Sequence, residues 1–133
     1  MAERRLRVLI VEDEMLVAMN IEDMLLELGH EVAGLAGRLG PALALARESR
    51  FDAAMLDVNL AGEPSFPVAD LLLERNIPFL FATGYGRAGI EERFRDRPIL
   101  QKPFRAAELG AALDRLAGFQ PFPGESRGPA AQP

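Results

Sequence analysis

Cysteine and tryptophan are missing from this 133-residue chain, and lysine, threonine, tyrosine and histidine each occur once. Without cysteine there can be neither a disulfide nor a thiolate metal site. A single histidine, His30, rules out a His-rich metal site; beside Gly29 at the end of a predicted helix it reads as a C-terminal capping or surface residue. A long apolar run is also absent. Behind Met1-Ala2-Glu3-Arg4-Arg5 only the six residues Leu6 to Val11 are largely apolar, too short for a signal-peptide core or a membrane span. A cytoplasmic protein with no membrane partner is expected. Positive charge is scarce as well: the net charge is −5 and the arginines form no long run, which argues against a nucleic-acid surface.

About half of the residues are apolar, enough for one domain with one core and too few for two. Leu6 to Val11 reads as a buried strand, followed by Val17, Ile21, Met24 and Leu28 at helical spacing and a stop at Gly29. Glu31 to Ala36 is a weaker strand before a helix that begins near Pro41 and ends near Ser49. Phe51 to Leu56 is the third strand. The prolines and glycine of Ala61 to Pro67 predict a loop, and Val68 to Arg75 a helix. Pro78 to Ala82 and Pro98 to Leu100 complete the strands, with only Gly89 to Phe94 for a short or mobile helix between them. Ala106 to Ala117 is the last helix. The sequence thus predicts one domain over 1–117 and a disordered tail over 118–133, with no output module after it.

Five alternating strand and helix units imply an α/β fold: a doubly wound, five-stranded parallel sheet in the flavodoxin-like order 2-1-3-4-5. Such sheets carry their sites at the carboxyl ends of the strands. Just past the first, third, fourth and fifth strands stand Glu12-Asp13-Glu14, Asp57, Thr83-Gly84-Tyr85 and Lys102, so the unusual polar residues share one edge. Glu12, Asp13 and Asp57 would repel one another unless a hard divalent cation, typically Mg²⁺, neutralises them. The competing reading for the first two is a solvated acidic pair capping the first helix, and for Glu14 the cap is preferred. Magnesium held by few carboxylates commonly accompanies a phosphoryl group. The Lys102 ammonium, a compact point charge, and the Thr83 hydroxyl suit its oxygens. Asp57 is then the natural nucleophile, able to form an aspartyl phosphate.

Val11-Glu12-Asp13-Glu14, Leu56-Asp57-Val58-Asn59, Ala82-Thr83-Gly84 and Gln101-Lys102-Pro103-Phe104 together resemble the receiver domain of bacterial two-component response regulators. The resemblance covers about residues 5–117. It implies phosphorylation of Asp57 by the phosphohistidine of a sensor histidine kinase or histidine phosphotransferase. It further implies Mg²⁺ bound by Glu12, Asp13, Asp57 and the Asn59 carbonyl, and phosphoryl contacts from Lys102, Thr83 and the backbone amides of Asn59 and Gly84. Beyond its own phosphorylation and dephosphorylation, no enzymatic activity is expected.

One departure matters. Receivers usually carry an aromatic switch residue three positions before the lysine, and here that position is Ile99. Phe81-Ala82-Thr83-Gly84-Tyr85 resembles the signature of the FAT GUY receivers, a subgroup of single-domain regulators in general stress signalling, which makes Tyr85 the candidate switch. The plainer reading of Tyr85 is an aromatic covering the site edge or packing on the fourth helix. The subgroup also implies a change of order in that helix on phosphorylation. Two other classes compete. A phosphatase of the haloacid dehalogenase type would place its nucleophile after the first strand with a second aspartate two residues later, whereas Asp57 follows the third and Asn59 takes the later position. A phosphorylation-independent adaptor would not need the acid pair, Asp57, Thr83 and Lys102. Phe66 and Pro67 fill the top of the core or meet a partner.

Overall fold

The computed structural model describes residues 5–119. Residues 1–4 and 120–133 lie outside them, and so does most of the expected tail. The strands are β1 (Arg7–Val11), β2 (Glu31–Ala36), β3 (Ala53–Asp57), two short ones, β4 (Asn59–Leu60) and β5 (Glu63–Pro64), then β6 (Phe79–Thr83) and β7 (Ile99–Gln101). The helices are α1 (Met15–Glu27), α2 (Leu39–Glu48), α3 (Phe66–Glu74) and α4 (Ala106–Phe119). The main sheet runs β2-β1-β3-β6-β7, parallel throughout, which is the expected order with β6 and β7 as its fourth and fifth strands.

Alternation along the strands builds two cores. Leu9, Val11, Ala54, Leu56, Phe79 and Phe81 face α2 and α3. Val8, Ile10, Ala53, Met55, Leu80 and Ala82 face α1 and α4. α1 supplies Ile21 and Leu25 at i, i+4, and α4 supplies Leu109, Leu113 and Leu116. Gly29, at φ +88°, ends α1: its amide donates to the Leu26 carbonyl and the His30 amide to the Leu25 carbonyl, the double bond of a Schellman turn. Of the two readings of His30, the cap holds through its amide, whereas the surface one fails, because the side chain is buried and Nδ1 accepts the Leu6 amide at 3.0 Å. This bond lies at the amino end of β1, the edge opposite the acidic cluster.

Several boundaries shift from the sequence reading for one reason. β3, β6 and β7 run one residue further, to Asp57, Thr83 and Gln101, because ladder hydrogen bonds do not depend on the polarity of the side chain. The predicted loop from Ala61 to Pro67 is mostly structured: β4 and β5 form a two-residue hairpin, and α3 already begins at Phe66, with Pro67 in the first turn where its missing N–H costs nothing. Phe66 packs on the core, its ring 5.7 Å from Phe94 and 6.0 Å from Phe81. Between β6 and β7 there is no fourth α-helix among the described residues, only 3₁₀ turns at Gly86–Gly89 and Glu92–Phe94. Two glycines and a single apolar i, i+4 pair, Ile90 and Phe94, cannot sustain a longer helix. Those two side chains anchor the segment, with Phe94 inside a cluster of Phe66, Phe79 and Phe81.

Candidate functional site

Four strands deliver polar residues to one edge of the sheet. Beyond β1 come Glu12 and Asp13; β3 ends on Asp57 and β6 on Thr83; β7 is followed by Lys102, whose amide donates to the Thr83 carbonyl at 2.9 Å. Each of Glu12, Asp13 and Asp57 offers a carboxylate oxygen, and these oxygens lie within 4.8 Å of one another. Lys102 Nζ stands between two of them, 2.7 Å from Glu12 Oε1 and 3.5 Å from Asp57 Oδ2.

Glu12 is only 3% exposed, and its other oxygen accepts the Glu14 amide at 3.1 Å. A solvated capping acid is therefore the wrong description of it. Glu14 does hold the N-cap position of α1, but its side chain caps nothing, contrary to expectation. Glu12 binds the amide of Glu14 itself, not the amides one turn on that an N-cap side chain would accept. Asp13 is exposed and ties down the hairpin after β3: its Oδ2 accepts the Ala61 amide at 2.9 Å. Ala61 and Gly62 both have positive φ, +52° and +92°, the geometry of a two-residue type I′ turn. For alanine that conformation costs about 1 kcal/mol or more. The Asp13 bond, together with the 2.7 Å bond from the Gly62 amide to Asn59 Oδ1, offsets the cost.

The electrostatics follow from this crowding. Burial, then the charge of Glu12, push the Asp57 carboxyl up from its ordinary value of 3.8 to about 7, against the pull of Lys102. Burial works to raise the Asp13 carboxyl too, but hydrogen bonds, that of the Ala61 amide foremost, outweigh it and hold Asp13 below the ordinary carboxylate range. Burial likewise works against the Lys102 charge. Its hydrogen bond to Glu12 and the charges of Asp57 and Glu12 win, and its pKa lies above the ordinary lysine value. A carboxylate held this far from its ordinary value, with two others beside it, is what a hard divalent cation would relieve, and the all-oxygen donor set fits Mg²⁺.

Asp13, Asp57, Asn59, Thr83, Gly84, Tyr85 and Lys102 line one cleft of about 650 Å³, with Glu14, Val58 and Gly89 completing its wall. Glu12, bonded to Lys102, is not part of that lining. Thr83 is buried, and its Oγ1 accepts the Tyr85 amide at 3.0 Å, while the Tyr85 side chain is 85% exposed on the rim. Tyr85 therefore stands at the site edge, and among the described residues there is no fourth α-helix for it to pack on. Ile99, where an aromatic was missed, is half-buried against the core under the 3₁₀ turns. Sequence reasoning passes over Ala61 and Gln101. Nothing in composition distinguishes either; Gln101 could have been suspected only from its place beside Lys102. No helix among the described residues is long and apolar enough to cross a membrane.

No protein-family model matches the chain. The structure is similar to the solution structure of SdrG from Sphingomonas melonis Fr1, at a TM-score of 0.79 and 46% identity, covering 87% of this chain and 99% of that one. A BeF₃-activated conformation of SdrG matches at a TM-score of 0.72 and 47% identity, covering 83% and 94%. The response regulator REC domain of PhyR from Erythrobacter litoralis matches at a TM-score of 0.75 and 28% identity, over 91% of this chain and 96% of that one. Among curated proteins, the phyllosphere-induced regulator PhyR of Methylorubrum extorquens is 35% identical over 128 residues, 90% of this chain and 46% of PhyR. The chain spans about half the length of the curated relatives it first matches.

Proposed function

The chain belongs to the receiver family of response regulators, and on that premise we propose that Asp57 accepts a phosphoryl group from the phosphohistidine of a sensor histidine kinase or histidine phosphotransferase. The P–N bond to the donor imidazole breaks, a P–O bond forms at an Asp57 carboxylate oxygen, and the imidazole leaves with the electron pair and takes up a proton. The observation that carries this reading is the Lys102 ammonium bonded to Glu12 and near Asp57 in the wall of the cleft. It is poised to meet charge on a transferring phosphoryl oxygen. Glu12, Asp13, Asp57 and the Asn59 carbonyl would hold Mg²⁺, which when bound neutralises the acidic cluster and the incoming oxygens. The Thr83 hydroxyl and the amides of Asn59 and Gly84 supply the remaining donors. Glu12, whose two oxygens already accept Lys102 and the Glu14 amide, fixes the lysine as well as adding charge.

The phosphorylated domain then signals through protein contacts. The likeness to PhyR, which one solved structure names a stress response regulator, together with the Phe81 to Tyr85 signature, supports a place in general stress signalling. The test is incubation with Mg²⁺ and acetyl phosphate followed by intact mass. One phosphoryl group is expected on the natural chain and none on Asp57→Asn. An unlabelled natural chain, or a labelled variant, would overturn the proposal.

A further inference from the structure

Position 99 carries no aromatic ring, so the segment bearing Tyr85 must be held and released by something else. Thr83 and Gln101 are register partners in the β6–β7 ladder, and the peptide joining Gly84 to Tyr85 spans the gap above them. Both of its polar atoms are engaged: its N–H donates to Thr83 Oγ1 at 3.0 Å, and its carbonyl accepts Gln101 Nε2 at 3.1 Å. Gln101 also follows the segment onward, since a Cβ on Gly86 would stand 3.5 Å from Gln101 Oε1. The Tyr85 ring itself, 85% exposed, supplies little packing to hold the loop.

We propose that Gln101 is a positioning residue that clamps the Gly84–Tyr85 peptide against Thr83 and so sets the resting position of Tyr85. One end of the clamp is a hydroxyl that the proposed reaction would recruit; the other is an amide side chain beside Lys102. A hydroxyl can accept one bond and donate another, so a phosphoryl group drawing the Thr83 hydroxyl toward Asp57 pulls on the Tyr85 amide directly. Gln101 decides whether the carbonyl side of the peptide follows or stays. The link from phosphoryl to Tyr85 then runs through backbone, and no aromatic ring at position 99 is required. This coupling rests on the phosphoryl-acceptor reading; the resting clamp does not.

Gln101→Met keeps the length of the side chain and removes its donor. In the free protein, hydrogen exchange at the Tyr85 amide should quicken about fivefold, the value of one ordinary hydrogen bond, and Gln101→Arg, which restores a donor, should slow it again. Unchanged exchange in Gln101→Met would overturn the clamp. Tyr85 is the only tyrosine in a chain without tryptophan, so its fluorescence anisotropy reports this position alone. On adding Mg²⁺ and beryllofluoride, the anisotropy change of the natural chain should shrink at least twofold in Gln101→Met, while acetyl phosphate still labels Asp57. An equal change in both proteins would overturn the coupling. A natural chain that is never labelled would overturn the phosphoryl-acceptor reading and the coupling with it, leaving the clamp to be judged by exchange in the free protein.

Discussion

The two halves of the cleft are built on different principles. On the β1–β3 side, the acidic groups stand at the ends of central strands, and Glu12 is buried with both carboxylate oxygens bonded to protein donors. On the β6–β7 side, the chain leaves the sheet into glycine-bearing 3₁₀ turns whose main anchors are Ile90 and Phe94, with Tyr85 in solvent. The first half is a fixed charge constellation and the second a tethered one. A strand end surrounded by partners cannot shift without uncovering charge, whereas a short turn held by two apolar side chains and a few hydrogen bonds can open locally at small cost.

The largest effect should come from removing the tether. Phe94→Ala deletes a fully buried ring packed against Phe66, Phe79 and Phe81 and should cost about 3–5 kcal/mol in chemical denaturation. If the halves are independent, Mg²⁺ affinity should be unchanged in whatever fraction remains folded; a lost cation site would break the comparison. Glu12→Ala comes next. It leaves the Glu14 amide and Lys102 without their main acceptor and should cost about 2–4 kcal/mol, less than a fully orphaned charge because Asp57 still lies 3.5 Å from the ammonium.

Asp57→Asn should act in the opposite direction, stabilising the cation-free protein at pH 8 by about 1–2 kcal/mol, since it removes a buried charge beside Glu12. The same group predicts a pH dependence. Asp57 titrates near 7 when folded and at 3.8 ordinarily, so between these values the folded state holds the extra proton. Its stabilising contribution is complete below pH 3.8 and is lost as the pH rises through about 7. Thermal melts of the natural chain should show this loss, Mg²⁺ should offset it most above pH 7, and Asp57→Asn should lack it. Tyr85→Ala is the smallest change, within about 0.5 kcal/mol, because the side chain is exposed. A larger loss would mean that the ring holds the turn and that the β6–β7 half is less loosely tethered than its contacts indicate.

Much of the fold was legible in the order of elements. Apolar runs alternating with helical patterns leave few arrangements once crossovers must be right-handed. The same rule carries Glu12, Asp13, Asp57, Thr83 and Lys102 to one edge, because strand direction alone decides which end of each run faces the site. Failures occurred where local chemistry competes. Glu14 holds the N-cap position, yet its side chain bonds no helix amide, and the acid that meets a backbone donor there is Glu12, on the amide of Glu14 itself. His30 looks like a surface residue beside a glycine and is buried by a bond to Leu6. Pro67 reads as a helix breaker and sits in the one turn where proline is harmless.

Patterns with a period of two or 3.6 residues, and singular residues at strand ends, were thus written in the chain itself, since backbone geometry converts them directly into faces and edges. Which oxygen meets which donor was decided only in three dimensions. Glu12 and Lys102 are 90 residues apart and meet at 2.7 Å, and Thr83 and Gln101 share one peptide only because β6 and β7 pair in that register. Such contacts depend on distances between elements, and no local sequence pattern encodes them.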